Sequence, residues 1–102
     1  MDKLSATAAL EKLGGGETYR RLIAQADFDV GMYRPVKEDD QTPHRRDEIY
    51  IVAAGTGDFV CAGECSEFAS GDIFFVPAGI EHRFQNFSQD FATWVVFMGA
   101  RR

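Results

Sequence analysis

The chain contains two histidines, His44 and His82, and each stands beside the start of a strand-like run with glycine or proline close by. Glu48 follows His44 by four positions. In an extended chain side chains alternate between faces, so positions 44 and 48 share a face that Tyr50, Val52 and Ala54 continue. His82 opens another run and shares its face with Phe84 and Asn86. If both faces line one interior, two imidazoles and a carboxylate converge. Two neutral nitrogens and one charged oxygen suit a divalent transition metal and leave positions for water or substrate. Iron, zinc, nickel and manganese are all compatible with that donor set. A His and a Glu four apart are common by chance, so the spacing alone is a weak signal.

The elements that must position these residues are mostly strands. A short helix is expected over residues 5–13, with Ser5 as N-cap and Gly14, Gly15 and Gly16 as its stop. Beyond the glycines the pattern changes to short β-rich runs at 18–25, 28–33, 48–54, 58–61, 73–76, 82–86 and 92–98, with a further short strand around 65–68. Glycine- and proline-marked turns separate them. Many short strands with closely spaced turns predict an all-β sandwich or barrel, because closure or double-sheet packing removes exposed edges. The 102 residues suffice for one domain, a helix followed by a barrel over about 18–99. The polar stretch 35–43 leads directly into His44.

Around His82 the order is Gly71, five residues, Pro77, Ala78, Gly79, two residues, His82, three residues and Asn86. This resembles the second motif of the cupin family, G-x5-P-x-G-x2-H-x3-N, at every fixed position. Upstream, His44, Glu48 and Gly55 resemble the second half of the first cupin motif, H-x-H-x3-E-x6-G. The resemblance covers roughly residues 28–98. It implies a double-stranded β-helix, a jelly-roll-like barrel, with His44, Glu48 and His82 as metal ligands. One position departs from the pattern: Thr42 stands where the first histidine belongs, with Gln41 beside it. A hydroxyl is a poor ligand, but the Gln41 amide oxygen could serve if the loop turns inward, and the sequence leaves open which of Gln41 and Thr42 completes the shell. Gly55, Gly71, Pro77, Gly79 and Asn86 read as fold residues that set turns and register, with Asn86 expected to hydrogen-bond backbone.

Tyr50, Phe84, Trp94 and Met98 are the residues expected to line a pocket beside the metal. Arg46 and Asp47 either orient Glu48 or stay solvated. Cys61 and Cys65, spaced C-x3-C, lack the further thiols or histidine of a zinc site. They read as small buried or half-buried thiols, with a cross-hairpin redox pair as the alternative.

The net charge of −5 argues against nucleic acid, whose phosphates need a basic face. Arg20–Arg21, Arg45–Arg46 and Arg101–Arg102 are pairs and read as solvated or interface charge. No apolar run approaches the ~20 residues of a membrane span, and no signal-peptide pattern opens the chain. A cytoplasmic protein is expected. The family resemblance further implies a homodimer, with the first strand and its helix as the candidate contact. Two functions fit: a metal-dependent enzyme of oxygenase or isomerase type acting on a small organic substrate, or a non-catalytic small-molecule binding or sensor module. Fold alone does not select between them.

Overall fold

The computed structural model describes residues 1–99, so Arg101 and Arg102 lie outside the described residues. Helix α1 spans Ala6–Glu11, and the Ser5 side chain caps it by accepting from the Ala8 N–H at 3.2 Å. It is shorter than its apolar run, with Lys12 as the C-cap before the glycines. Ala9 and Leu13 bury against Met32 and Ala92.

Eight strands follow: β1 (Tyr19–Ala24), β2 (Phe28–Tyr33), β3 (Asp47–Ala54), β4 (Gly57–Cys61), β5 (Glu64–Phe68), β6 (Ile73–Val76), β7 (His82–Gln85) and β8 (Ala92–Met98). They form two antiparallel sheets, β1-β2-β8-β3-β6 and β5-β4-β7. Alternation governs burial in β3, where Glu48, Tyr50 and Val52 are buried and Ile49 and Ile51 are half-buried on the other face. The inward side chains of both sheets meet in one core. Tyr50, Val52, Val76 and Val95 come from the larger sheet, and Phe59, Phe68 and Phe84 from the smaller.

Aromatic rings dominate that core. Phe84 packs on Tyr50, Phe59 and Phe91 with centroids 4.8, 4.6 and 4.8 Å away. Such tilted and edge-on pairs add attraction beyond simple burial. The rings fill the middle and one end of the sandwich. The strand starts carrying Glu48 and His82, and the end of β8 carrying Phe97, lie at the other.

The turns lock this arrangement. Gly55 has φ +92, and a Cβ there would stand 2.6 Å from the Phe91 Cα, so conformation and space both demand glycine. The Pro77-Ala78-Gly79 turn is clamped to the segment bearing the first histidine. The Gly79 N–H donates to the His44 carbonyl at 2.8 Å, and the Ala78 N–H to Asp47 Oδ1 at 2.8 Å. Asn86, at φ 54, donates through its side chain to Asp58 Oδ2 at 2.9 Å, not to backbone as expected.

Candidate metal centre

Glu48 enters from the start of β3, His82 from the start of β7, and His44 from the loop before β3. One donor atom from each lies within 4.8 Å of the other two. Glu48 Oε1 is 2.8 Å from His82 Nε2 and 3.7 Å from His44 Nε2. Glu48 and His82 are both buried, while His44 is half-buried and faces the opening.

The protonation pattern around His82 is informative. Its Nδ1 lies 2.8 Å from the Ile80 carbonyl, which only accepts, so Nδ1 carries the hydrogen. In the neutral ring Nε2 then holds a lone pair, with Glu48 Oε1 at 2.8 Å and the Tyr50 hydroxyl at 3.0 Å. This is the arrangement of a metal-ligating histidine, whose far nitrogen is tied to a carbonyl. Burial opposes charging of the ring, but the Glu48 carboxylate and the Ile80 carbonyl outweigh it and hold the His82 pKa above its ordinary value.

Both Glu48 oxygens are buried, and unless His82 carries a proton on Nε2 no described residue donates to them. A buried carboxylate in that condition is costly, by several kcal/mol in typical proteins. Facing it are two imidazole nitrogens, which offer lone pairs once they are deprotonated. The donor set therefore fits a divalent cation, with Glu48, His44 and His82 as the residues to hold it.

Gln41 lies beside these donors. Its Oε1 lies 2.9 Å from His44 Nε2 and accepts from the Tyr50 hydroxyl at 3.0 Å. The amide orientation follows from its other end, where Nε2 donates to Asp39 Oδ2 at 2.7 Å. A carboxylate accepts only, so the NH2 must point to Asp39 and the oxygen toward the histidines. Thr42 is exposed.

Asp39 is the residue that sequence reasoning missed. It is buried and also accepts from the Tyr33 hydroxyl at 2.6 Å, the Gln41 N–H at 3.2 Å and the Phe84 N–H at 2.8 Å. The available signal was local: an Asp accepting from the N–H two residues on makes an Asx-turn, which the polar run before Pro43 permits.

The expected pocket residues separate. Tyr50 lines a pocket of about 180 Å³ beside the histidines, together with Tyr19, Tyr33, Val95 and Phe97. Phe84 lies behind Tyr50 in the core. Trp94 packs beneath α1 with Met32 and Ala92, and Met98 shares that outer face of β8. Both are corrections, since Val95 and Phe97 hold the inner positions.

The Arg46 and Asp47 expectation also changes. Arg46 is buried and pairs with Asp29 at 2.7 Å, and Asp47 accepts from the Ala78 N–H. Both thiols are free. Cys61 is half-buried, but Cys65 is exposed, contrary to expectation. Cys65 stands opposite Val60 and Cys61 opposite Glu64, so the two thiols lie on opposite faces of the hairpin. That placement disfavours a redox pair.

The tyrosines around the pocket keep their protons. Burial raises the pKa of Tyr50 and Tyr33 well beyond the ordinary phenol range, with Glu48 adding to the shift at Tyr50 and Asp39 at Tyr33. Burial and Asp29 also raise Tyr19. These hydroxyls therefore stay protonated and do not act as bases.

Comparison with known proteins agrees with the geometry. The uncharacterized protein SCO3923 of Streptomyces coelicolor is 31% identical over 99 residues, spanning 95% of this chain and 90% of that protein. A Cupin 2 conserved barrel domain protein from Salinispora arenicola superposes with a TM-score of 0.72 at 23% identity, over 98% of this chain and 90% of that one. Protein NMB1881 from Neisseria meningitidis gives 0.77 at 14% identity, over 96% of this chain and 100% of that one. At such identities the structures share the fold. The sequence pattern defining the cupin domain matches residues 32–98, from β2 through both histidines to the end of β8. By that match, and by the turn that ties Gly79 to His44, the chain belongs to the cupin family.

Proposed function

We propose that His44, Glu48, His82 and Gln41 hold a divalent transition metal and that the chain is a metal-dependent enzyme acting on a small organic molecule. The observation that carries this reading is the fully buried Glu48 carboxylate, whose Oε1 lies 2.8 Å from His82 Nε2 and 3.7 Å from His44 Nε2. A bound iron, zinc, nickel or manganese ion would polarise a substrate oxygen as a Lewis acid. The chain's own residues bind and orient. Asp39 fixes the Gln41 oxygen, Tyr50 offers a hydroxyl proton, and Val95 and Phe97 exclude water from one wall. Metal content measured by elemental mass spectrometry on untagged protein tests the site. Near-stoichiometric metal, lost in His44→Ala and His82→Ala, is the expected result. A wild type that takes up none of the four metals overturns it.

A second reading, a binding or sensor module without turnover, is supported by the pocket's chemistry. Apart from His44 and Glu48, its only titratable lining groups are three tyrosines that keep their protons, so no separate base faces the space. Ligand-induced stabilisation without any product in metal-loaded protein would favour this reading. Both readings suit a reducing compartment such as the cytosol, where two free thiols persist.

The proposal includes a homodimer, with its contact moved from β1 to β6. Strand β6 is an edge of the larger sheet, and its outward Ile73 and Phe75 are 63% and 57% exposed beside Ile49 and Ile51. A second copy is the proposed occupant because packing these two outer faces against each other about a two-fold axis buries both apolar rows. Light scattering should give a dimer that Phe75→Glu dissociates. A wild-type monomer at every concentration overturns this part.

A further inference from the structure

Outside the metal centre lies a larger cavity of about 590 Å³, which shares Tyr19, His44 and Phe97 with the inner pocket. Its charge is opposite to that of the whole chain. Three guanidiniums, Arg21, Arg45 and Arg46, line it against a single carboxylate, Asp29. Arg46 already neutralises Asp29 at 2.7 Å and is anchored on the Gly99 carbonyl at 2.8 Å. Arg21 reaches the same carboxylate only at 3.7 Å, and its side chain is 52% exposed. Arg45 is exposed and has no ion pair among the described residues. Two positive charges therefore stand unmatched at the mouth, in a protein whose net charge is −5.

We propose that this mouth recognises a carboxylate, so that the ligand of the metal site is a small organic acid. Its carboxylate lies against Arg21 and Arg45, and an oxygen at its other end reaches the His44–Glu48–His82 centre. A guanidinium suits the first contact because its planar fork meets a carboxylate through two parallel hydrogen bonds. Basic walls around a concave opening also concentrate anions and speed their entry. The Arg46–Asp29 pair acts as the fixed wall behind Arg21 and Arg45. The inference rests on the metal-site reading for the far end of the ligand, and on the arginines for the near end.

Isothermal titration with succinate, and with the neutral succinamide as control, tests it on metal-free and metal-loaded protein. The variant is Arg21→Gln with Arg45→Gln, two exposed positions that leave Arg46 and Asp29 intact. Succinate should bind wild type and succinamide should not. The double variant should bind succinate at least tenfold more weakly while keeping wild-type metal content and melting temperature. Raising the salt concentration should weaken wild-type binding. Equal binding of succinate by variant and wild type, or no succinate binding at all, overturns the inference even if metal is present. Arginine-dependent succinate binding by a protein that takes up no metal keeps the carboxylate site and removes the metal reading.

Discussion

Glu48 and Gln41 share one chemical problem, which is how an oxygen is kept pointing at the imidazole nitrogens. For Gln41 the answer is Asp39, and this makes Asp39 a positioning residue. In Asp39→Asn the new amide no longer dictates the Gln41 orientation. Metal affinity should fall about 10–100-fold, as for other lost outer partners, in a competition titration against a chelator. Gln41→His restores the donor type of the family motif and should tighten metal binding in the same titration. His82 sets a pH dependence. Its folded pKa lies above the ordinary 6.5, so in metal-free protein its stabilising contribution is complete below that value and disappears as pH rises through the raised one. Melting temperatures of metal-free protein should therefore decline across that interval. With metal bound the trend should reverse, because protons compete for the same nitrogen. A metal-free protein with a flat profile there would contradict this assignment. His44, Glu48 and His82 were legible because two motifs place them. Asp39 was not, since one acidic residue in a polar loop looks like any other until its partners from β2 and β7 are known.

At the level of elements, strand positions followed closely from the turn residues and β-branched or aromatic runs. Strands β2, β6 and β8 begin and end where the sequence pattern does. The faces were less legible. In β3 a charged Glu48 marks the inner row, so alternation assigns Tyr50 and Val52 correctly. In β8 both rows are apolar, because one faces the core and the other lies partly beneath α1. Period two then cannot distinguish inside from outside, and Trp94 was assigned to the wrong face for that reason. The turns permit a sharper prediction. Gly55→Ala adds a Cβ against the Phe91 backbone at a positive φ, which should destabilise by about 1–3 kcal/mol or more in denaturant unfolding. In the core, Phe84→Ala removes a ring packed on several others and should cost about 3–5 kcal/mol by the same measurement.

Over the whole molecule, metal binding at this centre would be linked to folding, since the donors come from separate stretches of chain that unfolding disperses. A metal at about 100 times its dissociation constant should add about 2.7 kcal/mol of stability. For a domain of this size the melting temperature should rise by roughly 10 °C or more. A scan with and without added zinc, repeated with His82→Ala, checks it; a shift that survives the mutation would place the zinc elsewhere. The aromatic packing of Phe68, Phe84 and Phe91 at the end opposite the arginines has a kinetic consequence. If a ligand of the metal centre enters past Arg21 and Arg45, the rings packed beneath Tyr50 close the far side, so a departing molecule and an arriving one share the same path. Anions lodged on that path should therefore compete with every other visitor, and slow exit should limit turnover more readily than slow entry.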